Sequence, residues 1–277
     1  MIGASVRRKE DFRFLTGSGS YLDDIRPTNF LHMAVLRSAH AHAAIKSISI
    51  QTDEDRQDFI WTAEKTANQF GDLPVLYRAQ GQKCISFPVL ASDRALYVGQ
   101  PLAVALGNSR YEAEDLLESV HVEYEPLPVI SNVEQALAEG APLLHPEWGD
   151  NIAVSMHLRT PEVDRIFTQA DHVLKDRFKV NRLSAIPMEA RGVVAEYNRA
   201  RRRLTVWSST QAPYQLRGEL AKILHLNEND IQVITPDVGG AFGNKLHIYP
   251  EDVMACWLAI RLERPVKFVE DRREHLL

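Results

Sequence analysis

Near the end of the 277-residue chain the stretch PDVGGAFGNK, Pro236 to Lys245, holds three glycines and a lysine in ten residues. A phosphate-cradling P-loop needs glycine directly before the lysine and Ser or Thr after it. Here Asn244 precedes Lys245 and Leu246 follows. The dinucleotide fingerprint needs G-x-G-x-x-G, a spacing that Gly239, Gly240 and Gly243 do not have. What remains is a bare backbone whose N–H groups can approach an oxygen-rich ligand. Phe242, between glycines, either plugs a core or walls a pocket. In WSSTQAPY, Gln211 sits between a strand end and a helix start; its amide can donate to an oxo or phosphate group, or cap the helix. In AIPMEARGVV, Glu189 beside Arg191 reads as a structural ion pair. His40 and His42 are the only close histidine pair, with no carboxylate-rich neighbourhood, and read as structural.

Composition removes several function classes. Net charge is −5, so nothing points to a nucleic-acid surface or an anionic membrane. No run of about 18 apolar residues is present, and MIGASVRRKEDFRF has no apolar h-region, so the expectation is a cytoplasmic protein without a membrane span. Two cysteines, Cys84 and Cys256, cannot supply the four ligands of an iron–sulfur cluster or a structural zinc site.

The elements that must position these residues follow from periodicity. LHMAVLRS and QPLAVALG read as buried strands. SRYEAEDLLESV is a helix with Ser109 and Glu112 at capping-box spacing, followed by a strand in HVEYEPLPVI that Pro126 and Pro128 end. SNVEQALAEG is a short helix capped by Ser131 and Glu134. Residues 51–90 yield only a short strand at DFIWT. APLLHPEWGDN reads as a connection between domains. Beyond it, Thr160 and Pro161 open a short helix and a long strand covers HVLKDRFKVNR. A hairpin of GVVAEYN and RLTVWSS, the amphipathic helix PYQLRGELAKILHL, the strand IQVIT, the glycine loop, the helix PEDVMACWLAIRLE and the strand PVKFVED complete the chain. A strand–helix–strand unit with parallel strands would bring Gln211 and the glycine loop to one rim.

The motifs in order resemble those of the large, molybdopterin-binding subunits of the molybdenum hydroxylase family: xanthine dehydrogenases, aldehyde oxidases and aerobic carbon monoxide dehydrogenases. The resemblance runs from RKEDFRFLTGSGSYLDDI and RSAHAHAAI through YVGQPLAVALG, VEYEPLPVI, HPEWGDNI, IPMEARGVVAEY and WSSTQAPY to DVGGAFGNK and RPVKFVEDRREHL. Only residues 51–90 match it poorly. It implies an α+β chain: an α/β hammerhead domain within residues 1–140, then an incomplete mixed α/β molybdenum-cofactor-binding domain at 141–277.

By position, the resemblance gives Gln211 a side chain approaching an oxygen ligand of molybdenum. Gly240, Ala241, Phe242 and Gly243 match the segment whose backbone contacts molybdopterin. Ala241 stands where the family has glycine, so either it is not left-handed or the loop is altered. The family's catalytic glutamate belongs to a region with no match here, so no catalytic or metal-ligating residue is assigned. The implied cofactor is molybdenum–molybdopterin, in its cytosine dinucleotide form, held together with the C-terminal part of a large subunit. The implied partners are that part, an iron–sulfur subunit and an FAD subunit, and the implied reaction is oxidative hydroxylation of an aldehyde, N-heterocycle or carbon monoxide. The alternative is a non-catalytic remnant that binds no cofactor.

Overall fold

The structure is a computed structural model that describes residues 2–75, 77–85 and 87–277. The chain divides into a larger unit of residues 1–74, 86–129 and 185–277 and a smaller one of residues 75–85 and 130–184.

The larger unit holds the strands β1 (Leu31–Arg37), β2 (Ala43–Ile50), β3 (Ile60–Thr62), β4 (Arg94–Ala95), β5 (Pro101–Gly107), β6 (Val120–Pro126), β7 (Gly192–Asn198), β8 (Arg203–Ser208), β9 (Ile231–Ile234) and β10 (Val266–Val269). Its main helices are α1 (Arg110–Leu117), α2 (Pro213–Ile223) and α3 (Pro250–Leu262). Seven strands form one sheet in the order β3-β5-β1-β10-β7-β8-β9, and β4-β2-β6 form a smaller one. Every residue of β5 is buried, as the unbroken apolar run PLAVALG requires of a strand covered on both faces. Alternation sorts the two faces. Ala34, Ala103 and Ala105 meet Ala113, Leu116 and Leu117 of α1. Met33, Val104 and Leu106 share the opposite core with Leu220 of α2 and Met254 and Leu258 of α3. Gly107 permits the tight strand-to-α1 turn, since a Cβ there would lie 2.6 Å from the Ala113 nitrogen. The Ser109 hydroxyl accepts from the Glu112 N–H at 3.1 Å, while the Glu112 carboxylate takes the Asn108 N–H at 2.7 Å instead of closing the expected box on Ser109.

β8 and β9 run parallel, with Val206 opposite Val233. The chain therefore leaves both strands at the same rim after crossing through α2. β10 then enters the middle of the sheet, parallel to β1 and antiparallel to β7. The division expected at residue 140 is thus not a division of the sheet, because backbone pairing of β10 joins strands from before and after that point into one layer.

The smaller unit corrects four further expectations. Its helix Val133–Leu137 is capped by Asn132, whose side chain accepts from the Gln135 N–H at 2.8 Å, while the Ser131 hydroxyl turns to the Gln135 side chain. The next helix begins at Val163 rather than at Pro161. The strand expected around HVLKDRFKVNR is absent: residues 170–191 carry neither helix nor strand. A strand needs a neighbour for its backbone groups, and none pairs with this segment among the described residues. Its apolar side chains are left bare, Leu174 at 97 % and Phe178 at 87 % exposure. APLLHPEWGDN lies inside this unit rather than between two. Asn151 holds the Pro142 and Ala136 carbonyls, and Asp150 pairs with Lys83 at 2.6 Å. No helix among the described residues is long and apolar enough to cross a membrane.

The shared sheet should unfold as one. Leu31 is 1 % exposed and pairs with Val266. Leu31→Ala should cost about 2–5 kcal/mol in a urea titration. Amide-exchange protection should fall in β7 as much as in β1; loss confined to β1 would contradict a single cooperative sheet.

Candidate functional site

The glycine loop lies where β9 runs out at the rim it shares with β8. Its backbone has a left-handed rhythm, with φ +97° at Gly240, +51° at Phe242 and +97° at Gly243, while Ala241 stays outside that region. This resolves the question that the alanine raised: the residue that bears the αL conformation is Phe242, at some conformational cost. Gly239 is required by space, and Gly240 by its left-handed φ in a tight spot. A Cβ at Gly239 would lie 2.5 Å from the Glu189 Cβ, and one at Gly240 would lie 3.2 Å from the Pro187 Cβ. The N–H groups of Gly240, Ala241 and Phe242 have no protein acceptor among the described residues. Successive amides of this kind form an anion-binding concavity. Phe242 does not plug the core; it is 76 % exposed.

Gln211 is brought to this loop. Its side-chain oxygen accepts from the Gly243 N–H at 3.1 Å and the Lys245 N–H at 3.3 Å, and its own N–H donates to the Lys245 carbonyl at 2.8 Å. Two backbone donors can be answered only by the carbonyl end of the amide, so the NH₂ end is turned the other way. That NH₂ meets no protein acceptor among the described residues and is free to donate outward.

Glu189 and Arg191 do not pair with each other as expected, because the bend at Met188–Glu189 sends them to different partners. Glu189 accepts from the Lys245 ammonium and the Gly239 N–H, each at 2.8 Å, and from the Leu22 N–H at 3.2 Å. Arg191 is held by Glu251 at 3.2 Å and Glu270 at 3.0 Å and lies over the Tyr249 ring at 3.6 Å. Arg37 adds a second guanidinium on Glu251 at 2.7 Å. Burial pushes the Glu251 carboxyl up, but Arg191 and Arg37 together hold it below the usual carboxylate value. Burial raises the neighbouring Asp252 carboxyl to about 7, against the pull of Arg191. Arg37, Arg191, Glu251 and Glu270 border a cleft of about 280 Å³ that Asn244 also lines. Sequence reasoning weighed Lys245 only as a phosphate-loop lysine, gave Glu251 no role and passed over Glu270; only a basic residue in an otherwise small-residue loop, and acidic residues inside apolar elements, marked them. His42 is structural as read, its Nδ1 meeting the Pro128 carbonyl at 2.8 Å.

Two family models match the chain. The aldehyde oxidase and xanthine dehydrogenase a/b hammerhead domain covers residues 16–128, and the molybdopterin cofactor-binding domain covers residues 144–277. The nicotine 6-hydroxylase large subunit of Paenarthrobacter nicotinovorans is 37 % identical over 100 % of this chain and 34 % of its own length. The carbon monoxide dehydrogenase large chain of Afipia carboxidovorans is 35 % identical over 99 % of this chain and 35 % of its own. Quinoline 2-oxidoreductase from Pseudomonas putida 86 superposes with a TM-score of 0.91 at 36 % identity, over 99 % of this chain and 35 % of that one. The chain belongs to the molybdenum hydroxylase large-subunit family. It is a portion of N-terminal type and spans about a third of the length of the curated relatives it matches. The glycine loop and Gln211 both fall inside the molybdopterin cofactor-binding match.

The buried Asp252 yields a pH test. Its carboxyl rises from 3.8 to about 7 on folding. Its contribution to stability is therefore fully present below pH 3.8 and is lost as the pH rises towards 7. Asp252→Asn can keep the bond from the Tyr249 N–H and cannot ionise. The variant should gain on the parent progressively from pH 4.5 to pH 8, by about 1.4 kcal/mol per pH unit at most. Urea midpoints that shift equally at both ends would refute this.

Proposed function

We propose that this chain supplies one wall of a molybdopterin site in an oxidative hydroxylase, and acts together with polypeptide that completes a large subunit. The observation that carries the reading is the locked Gln211 amide beside three open backbone N–H groups. A cofactor with an oxygen-bearing metal and an oxygen-rich pterin tail fits that donor set: Gln211 Nε2 would donate to the metal's oxygen, and Gly240, Ala241 and Phe242 to the organic part, in its cytosine dinucleotide form. When bound, the molybdenum centre supplies the two-electron oxidation that accompanies insertion of oxygen into the substrate.

The chain's own residues bind and orient. Gln211 holds a hydrogen-bond donor at a fixed place, and the exposed Phe242 ring offers an apolar wall for a planar substrate. No residue here is assigned as the base. Glu189 has three donors on its carboxylate and Glu251 has two guanidiniums, so neither is free to take a proton. The names of the relatives, nicotine 6-hydroxylase and quinoline 2-oxidoreductase, favour an N-heteroaromatic substrate over an aldehyde or carbon monoxide. Electrons would leave through iron–sulfur and FAD subunits. The bare apolar side chains of Leu174, Phe178, Val180 and Leu183 support a covering polypeptide from the remainder of a large subunit.

Co-expression with the remaining two-thirds of a related large subunit tests the reading. The expected result is a co-purifying complex that carries molybdenum by elemental analysis, with Gly240→Val lowering the metal content about tenfold, a change of about 1.4 kcal/mol. A complex that forms but holds no molybdenum would instead make the chain a non-catalytic remnant.

A further inference from the structure

We propose that Lys245 and Glu189 are positioning residues: their buried ion pair sets where the Gln211 amide and the open N–H groups of the loop point. This deepens the cofactor-site reading, and its test uses no cofactor, so it can fail while that reading stands.

The Lys245 side chain is completely buried, 0 % exposed, with one carboxylate partner, Glu189, at 2.8 Å. An ammonium is among the costliest groups to remove from water, and an apolar chain of equal length would fill the same space without that cost. The pair does something an apolar filler would not: it pins both ends of the loop to a single carboxylate. Glu189 takes the Gly239 N–H at the loop's start, and its backbone N–H donates back to the Gly239 carbonyl at 3.1 Å. The same carboxylate takes the ammonium of Lys245 at the loop's end. Between them the Gly240, Ala241 and Phe242 N–H groups are left without a protein acceptor among the described residues. Lys245 then carries the position onward through its backbone. Its N–H donates to the Gln211 side-chain oxygen, and its carbonyl accepts from the Gln211 N–H and, at 3.1 Å, from the Thr210 hydroxyl. The order is Glu189 to Lys245 side chain, Lys245 backbone to Gln211 side chain, and Gln211 Nε2 to the open side of the rim. Lys245 is fully buried and the Glu189 carboxylate already holds three donors, so both act through Gln211 and the loop.

A merely stabilising pair predicts something different, and amide exchange separates the two roles. The Gly243 and Lys245 amides report the Gln211 link, because both donate to its oxygen. The amides of β7 and β10 report overall stability. Lys245→Met leaves the largely buried Glu189 carboxylate without a counter-charge, and should speed exchange in both sets. The double variant Glu189→Gln with Lys245→Met removes both charges and keeps an acceptor for the Gly239 N–H, giving up only the longer bond from the Leu22 N–H. There, β7 and β10 protection should return to the parent level, while the Gly243 and Lys245 amides still exchange at least about tenfold faster than in the parent. Gln211→Ala should speed the same two amides and leave β7 and β10 unchanged. Recovery of both sets in the double variant would overturn the proposal, as would loop amides unaffected by Lys245→Met. A double variant that does not fold also counts against it, because the pair would then serve folding as a whole.

Discussion

Four residues, Val266 to Val269, decide how the rest of the larger unit is arranged. As β10 they take the central place in the sheet, with β1 on one side and β7 on the other. Val266 and Phe268 are buried there, and the Lys267 ammonium reaches the Asp23 and Ile25 carbonyls at 2.7 and 3.2 Å. Without that strand, β3-β5-β1 and β7-β8-β9 would be two small sheets, each with an unpaired inner edge. With it, α3 packs on one continuous face and the loop between β9 and α3 is held at the rim. The position of the candidate site is thus a consequence of backbone pairing by a strand that comes after it in the chain.

Electrostatics inside this unit follow one rule: every buried charge described above has an opposite neighbour. Arg191 and Arg37 share Glu251, Arg191 also holds Glu270, and Lys245 holds Glu189. Breaking such a pair leaves a charge with neither water nor partner, which is far more costly than the pair is favourable. The network therefore specifies an arrangement more than it adds stability, and it specifies the surroundings of the glycine loop. Asp252 is the exception that titrates: it lies beside Glu251 and Arg191, where like and opposite charges compete and burial tips the balance towards the neutral acid.

At the rim, the division of labour is between backbone and side chain. The loop offers N–H groups, and glycine is needed because Glu189 presses against Gly239 and Gly240 takes a left-handed φ. Gln211 closes the loop with its oxygen and keeps its NH₂ for something else. The arrangement is open, with Phe242 in solvent.

Much of this was legible in the sequence. Continuous apolar runs marked β1 and β5, the 3.6-residue spacing marked α1 and α2, and the strand–helix–strand order placed Gln211 and the glycine loop at one rim before any coordinates. Those features are local, or follow from a handedness rule that local features feed. The tertiary structure decided what depends on partners distant in sequence. It joined the two halves into one sheet, because strand pairing is a contact and not a composition. It left HVLKDRFKVNR without a strand, because a stretch of strand-forming residues makes a strand only where another strand meets it. It separated Glu189 from Arg191 and gave Glu189 to Lys245, 56 residues away. Neighbours in sequence show which charges are present; burial, which removes the competing water, decides which of them must meet.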